Sequence, residues 1–176
     1  MIDTAAMAEQ IPALRRYARA LLRDASQADD LVQDCLERAL SRQHLFRPGT
    51  NLRAWLFTIM HNQFVNFAKR RGRAPDVVPL DDEGGHLPGG AVAPDQGGRL
   101  RLRDLSRALD ALPEEQRAVV LLVGLEDLSY RETAEVLDVP VGTVMSRLAR
   151  GRERLRRLME PPEAGSGGEP GLRGVK

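Results

Sequence analysis

The sequence predicts an all-α fold: two small helical bundles joined by a flexible linker, the second containing a helix-turn-helix. Three observations predict it. Apolar residues recur at three- and four-residue spacing through most of residues 7–71 and again from residue 99 onward, the signature of helices with one buried face. Between these stretches, residues 74–98 are rich in Gly, Pro and Asp and show no period. Aromatic residues make up only 4% of the 176-residue chain, too few for a large β-sandwich or barrel, while 42% hydrophobic content suffices for a core.

The first helix is expected over about residues 7–23, with Ile11, Leu14, Ala18, Leu21 and Leu22 on one face. The second runs from about 26 to 43, with Ser26 as N-cap and Asp29 and Asp30 at the positive end of the helix dipole. Its inner stripe is Ala28, Leu31, Val32, Cys35, Leu36, Ala39 and Leu40, so Cys35 reads as a small buried hydrophobe. Residues 46–51, FRPGTN, contain both helix breakers and read as a turn. A long helix then spans about 52–71, its core face formed by Leu56, Ile59, Met60, Gln63, Phe64 and Phe67. Beyond the linker, an amphipathic stretch begins near residue 99. Pro113 followed by Glu114 and Glu115 starts a fresh helix that runs to about Gly124. Helices at 129–137 and 140–159 complete the second bundle, and the Gly/Pro-rich tail 161–176 is expected to be disordered. The domain organisation is therefore 1–73, linker 74–98, 99–160 and tail.

Charge is nearly balanced at +1, but its distribution is not. Residues 1–73 are basic, the linker holds Asp76, Asp81, Asp82, Glu83 and Asp95 with no Lys or Arg, and arginines return from Arg99. Two anion-binding modules held apart by an acidic linker would give this layout. His44, His61 and His86 are scattered without partners at metal-ligand spacing, and the sole cysteine allows no thiolate cage, so no metal or other cofactor is expected. Neither a Ser/His/Asp order nor a phosphate-binding glycine loop is present, which favours a binding protein over an enzyme. No apolar run approaches the ~18 residues of a membrane span, and the N-terminus has no secretory leader pattern, so the expectation is a cytoplasmic protein without a membrane partner.

The sharpest local signal lies at 128–158, LSYRETAEVLDVPVGTVMSRLARGRERLRRL. Ser129 and Glu132 form a capping box, Ala134 allows close helix approach, and Asp138–Pro140 supply a tight turn before a longer helix. On that helix Val144, Leu148, Gly151, Leu155 and Leu158 gather on one side, and Arg147, Arg150, Arg154 and Arg157 on another. Such a helix can dock on a core and present arginines to a major groove, with Thr143 and Ser146 as short donors. The bland reading is an arginine face laced with ion pairs, for which only Glu153 and Glu160 are at hand. In the first bundle, Asn62 and Asn66 lie one turn apart, and Lys69, Arg70 and Arg71 extend the same helix end. Amides can bond base edges and cations can neutralise phosphates, although basic helix ends and surface asparagines are often mere solvated groups. Trp55 either stacks on an unpaired base or packs as an ordinary core residue. The acidic outer face of the second helix (Asp29, Asp30, Gln33, Asp34, Glu37) reads on its own as solvated.

The segments 28–40, 51–71 and 112–156 together resemble the extracytoplasmic-function (ECF) group of sigma factors, in the right order and over about three quarters of the chain; the run PVGTVMSRLARGRERLR carries the resemblance most specifically. The resemblance implies that residues 1–73 are sigma region two and 99–160 region four. It implies that DDLVQD (29–34) docks on the clamp helices of the large subunit of core RNA polymerase through Asp30, Gln33 and Asp34. The loop 46–51 and the helix carrying Asn62, Asn66, Lys69, Arg70 and Arg71 would capture an unpaired base and melt the minus-ten element of promoter DNA. Region four would read the minus-thirty-five element through Thr143, Ser146, Arg147, Arg150 and Arg154. An anti-sigma factor is a further expected partner, and stress-responsive transcription the expected setting. Some members of the group carry a basic residue where this chain has Met145, a side chain that can touch a thymine methyl but cannot donate to guanine. A stand-alone repressor would need a dimerisation surface, and no coiled-coil heptads supply one, so a monomer is expected when free.

Overall fold

The computed structural model describes residues 2–22, 24–71 and 96–160. The linker reading for 74–95 and the tail 161–176 lie outside the described residues, as does the side chain of Arg71. Among the described residues the fold is all-α: α1 (Thr4–Ala8), α2 (Ile11–Leu21), α3 (Ala25–Ser41), a 3-10 turn at Gln43–Leu45, α4 (Leu52–Arg71), α5 (Gln96–Asp110), α6 (Glu114–Gly124), α7 (Tyr130–Leu137) and α8 (Val141–Met159).

The expected first helix is divided. Asp3 caps α1 by accepting from the Ala5 amide at 2.9 Å, and α2 restarts at Ile11 with Pro12 in its first turn, where the missing N–H costs nothing. The cap of α3 is Asp24, which accepts from the Gln27 amide at 2.9 Å, and not Ser26, which lies inside the helix. The α2–α3 connection is short enough that the earlier carboxylate takes the capping position. Asn51 caps α4 by accepting from the Ala54 amide at 3.2 Å.

In the first bundle α3 packs against both α2 and α4 around Leu14, Tyr17, Ala28, Val32, Cys35, Leu56, Phe57 and Met60, all at most 3% exposed. Tyr17 and Phe57 meet edge to face at 5.2 Å. Cys35 is buried in this stripe, its thiol against the Leu56 carbonyl at 3.5 Å, and burial pushes its pKa up to about 12. Two leucines expected in the core are exposed, Leu40 at 46% and Leu158 at 47%, each near a helix end that its neighbours do not cover.

The second bundle closes α6, α7 and α8 around Val119, Ala134, Val144 and Leu148. At Gly151 α8 packs closely on α6: a Cβ there would stand 2.8 Å from the Val120 Cγ2. Gly151→Val is therefore expected to destabilise the second bundle by about 1–3 kcal/mol, read as a lowered melting midpoint.

The bundles are not held apart. The apolar core runs from Leu14 and Phe57 into Leu121, Leu122, Leu128 and Val136, with α2 against α6 and α4 against α7. At this junction the Glu126 side chain, in the α6–α7 loop, has no exposed surface. Arg16 on α2 grips it with two bonds, Nε to Oε1 at 3.3 Å and Nη2 to Oε2 at 2.9 Å. Arg53 on α4 donates from Nη2 to Oε2 at 2.6 Å and to the Glu126 carbonyl at 3.0 Å. Nothing in the local sequence marks Glu126, because its partners are remote in the chain.

Candidate nucleic-acid interface

Of the first-bundle candidates, Asn62, Asn66 and Arg70 line the groove between α3 and α4. Asn62, Asn66, Lys69 and Arg70 are all exposed. A cavity of about 110 Å³ opens beside the two asparagines, lined by Arg38, Arg42, Ile59, Asn62, Gln63 and Asn66. A second of about 330 Å³ continues along the same groove and brings Asp30 and Asp34 to Asn66 and Arg70. Residues assigned from sequence to two different partners thus border one depression. Gln33 is exposed, and its amide donates to the Glu37 Oε1 at 3.0 Å.

Three groups here escaped the sequence reading. Gln63 was expected in the core, yet it lines both cavities, and its buried Oε1 has no hydrogen-bond partner among the described residues. Arg38 and Arg42 sit one turn apart near the end of α3, facing Asn62 across the cavity. Only the pairing of α3 with α4 reveals them; their spacing offered a weak signal. Trp55 is half-buried and packs on Phe46, ring centroids 5.3 Å apart, which ties the 46–51 loop to α4. Within that loop Gly49 takes φ +87°, a conformation that favours glycine.

In the second bundle the capping box forms as expected: the Glu132 amide donates to the Ser129 Oγ at 3.2 Å, and the Ser129 amide to the Glu132 Oε2 at 2.8 Å. The hydrogen bonds from Ser129 hold the Glu132 carboxyl below the usual range. Asn51, the cap of α4, also donates to Glu132, so the caps of two helices from different bundles are joined. Asp138 turns the chain in the left-handed region at φ 52° and delivers it to α8.

Along α8 the apolar stripe Val144, Leu148 and Gly151 is buried, and Ser146, Arg150 and Arg154 are exposed. Ser146 Oγ donates back to the Thr143 carbonyl at 3.0 Å. Arg147 departs from the expected open array: its side chain is 22% exposed and pairs with Glu115 at 2.7 Å. At the far end ion pairs do form. Glu153 takes Arg156 at 3.1 Å and Arg157 at 2.8 Å, which pushes its carboxyl down to about 2, and Arg156 also pairs with Glu160. Arg157 therefore leaves the free edge, whereas no ion pair engages Arg150 or Arg154 among the described residues.

His61 lies on α4 at the junction of the bundles, most of its ring out of water. Burial, with the Arg147 charge as a second cause, pushes its imidazole down to about 4, and its buried Nδ1 has no partner among the described residues. At Glu126 burial pushes the carboxyl up; the Arg16 hydrogen bond and the two guanidinium charges pull it only part of the way back.

The surfaces so assembled offer cations, amides and hydroxyls on two separate faces, chemistry suited to phosphates and base edges. No helix of the described residues is long and apolar enough to cross a membrane. Residues 7–61 match the family described as the Sigma2 domain of PhyR, and residues 102–155 match Sigma-70, region 4. The chain is 39% identical over 149 residues to the ECF RNA polymerase sigma factor EcfG of Rhodopseudomonas palustris, covering 85% of this chain and 80% of that one. It is 34% identical to the RNA polymerase sigma factor HrpL of Pseudomonas syringae, over 88% of this chain and 85% of that one. Among solved structures it is similar to the sigma factor RpoE of Bartonella quintana, crystallised with the anti-sigma factor NepR: 37% identity, TM-score 0.73, 88% of this chain and 94% of that one. Two matched sigma modules in order, on an all-α chain that follows such relatives over most of their length, settle the family: the chain belongs to the ECF RNA polymerase sigma factors, which bind core RNA polymerase and direct it to promoters.

Proposed function

We propose that this sigma factor divides its labour by residue as follows. Residues 1–73 act as region two and 99–160 as region four. Asp30, Gln33 and Asp34, exposed along α3, dock on the clamp helices of the polymerase large subunit. Asn62, Asn66, Lys69, Arg70 and Arg71 engage the minus-ten element, the cations on phosphates and the amides on base edges. The observation that carries this reading is the cavity beside Asn62 and Asn66, which combines amides, two guanidinium groups and the apolar edge of Ile59. An unstacked base needs that combination, because leaving the duplex costs about a few kcal/mol that pocket contacts must offset. Thr143, Ser146, Arg147, Arg150 and Arg154 read the minus-thirty-five element from the second bundle. The chain performs no catalysis of its own and works in the cytoplasm with the polymerase. The co-crystal of its Bartonella quintana relative with an anti-sigma factor supports a similar inhibitor for this chain.

Run-off transcription with purified core polymerase and genomic promoter fragments tests the reading; no start sites above core alone would reject it. Finer assignments separate by variant. Arg150→Ala is expected to weaken selection of the upstream element about tenfold, within the ~1–3 kcal/mol of one bidentate base contact, while polymerase affinity is unchanged. Asp30→Ala with Gln33→Ala should do the reverse in a core-binding titration.

A further inference from the structure

The entering end of α8 carries an apolar pair that the fold does not use. Met145 is 53% exposed and Val141 is 39% exposed, one turn apart on the same side of the helix. Their neighbour Val144 is fully buried, so the core takes one valine and leaves these two residues in water. Between Met145 and Arg150 the outward strip consists of Gly142, Ser146 and Ala149, all exposed and all small. A Cβ at Gly142 would meet nothing within 4 Å. On a helix that turns about 100° per residue, Met145 and Arg150 flank this strip from opposite sides. A helix surface so shaped can bring its backbone close to a flat groove floor, with an apolar edge on one side and a guanidinium on the other.

In a helix-turn-helix the N-terminal residues of the second helix meet base edges in the major groove. The apolar feature that base pairs display there is the C5 methyl of thymine; the other groups are donors and acceptors. From the placement of this pair we infer that Met145, supported by Val141, is a specificity-determining contact to a thymine methyl in the upstream promoter element. Arg150 reads the other side of the same stretch. The inference rests on the assignment of α8 to the minus-thirty-five element and adds the base chemistry that α8 selects at its leading edge.

The test uses holoenzyme assembled from the full chain and core polymerase, on a promoter that it transcribes. Each thymine of the upstream element is replaced singly by deoxyuridine, which deletes the methyl and keeps the base pair. One or two positions are expected to lower promoter occupancy about fourfold, the equivalent of ~0.8 kcal/mol for one buried methyl-sized group. Met145→Ala should abolish that sensitivity at the same position, and Met145→Leu should restore it. Undiminished sensitivity in Met145→Ala overturns the inference, as does an element in which no thymine responds. In either case Arg150→Ala tells the two assignments apart. If it still weakens selection of the upstream element, α8 remains the reader and only the methyl contact fails; if it has no effect, the assignment of α8 falls too.

Discussion

A chain carrying Glu126→Ala is expected to lose about 3 kcal/mol of stability, because two guanidinium groups would keep their places at the junction without the carboxylate between them. The range for breaking a buried pair is about 3–5 kcal/mol; the low end applies because the arginine partners are each about a third exposed and can turn toward water. Replacing both arginines should be the harsher change. Arg16→Ala with Arg53→Ala strands a fully buried carboxylate, whose burial already raises its pKa. Urea unfolding checks the energies, and small-angle scattering checks the consequence: the second bundle swings free and the radius of gyration rises. An unchanged urea midpoint in Glu126→Ala would show that the apolar contacts across the junction hold it unaided.

Acid should act on the same junction through His61. In the unfolded chain its imidazole takes a proton near pH 6.5, whereas in the folded chain it does so only near 4. Stability from this residue is fully present above pH 6.5 and declines as the pH falls toward 4, since the unfolded state gains the proton first. The expected loss is about 2 kcal/mol by pH 5 and about 3 kcal/mol at pH 4. His61→Phe keeps an apolar ring at the position and should flatten the slope between pH 7 and 5, where most carboxylates stay charged. Urea midpoints of the two proteins across that range make the comparison. Parallel curves would mean that the ring is open to water in solution.

Much of the fold was legible because helices announce themselves locally. The α4 bounds, the Pro113 restart and the Ser129–Glu132 capping box all depend on neighbours within a few residues, and all stand as read. What could not be read depends on packing between distant segments. Phe57 is fully buried, though its position fell outside the expected core face of α4. Its ring meets Tyr17 of α2 edge to face at 5.2 Å, and Arg53, one turn earlier on the same helix, lies over it at 5.7 Å. Gln63 erred in the opposite direction: periodicity put it inside, and the gap between α3 and α4 turned that position into a cavity wall. The candidate residues show the same division. Arg150 and Arg154 stand exposed where spacing put them, while Arg147 is taken by Glu115, a residue from another helix.

The clamp on Glu126 also sets an order of assembly. Its partners are 110 and 73 residues upstream, whereas α2, α3 and α4 meet as successive neighbours. Contacts that close long stretches of chain form late, since the entropy of closure comes before any reward. On the ribosome the delay is lengthened by translation itself, which proceeds from the N-terminus. In the nascent protein Arg16 and Arg53 therefore precede their shared carboxylate, and docking of the second bundle on the first follows the folding of α2, α3 and α4.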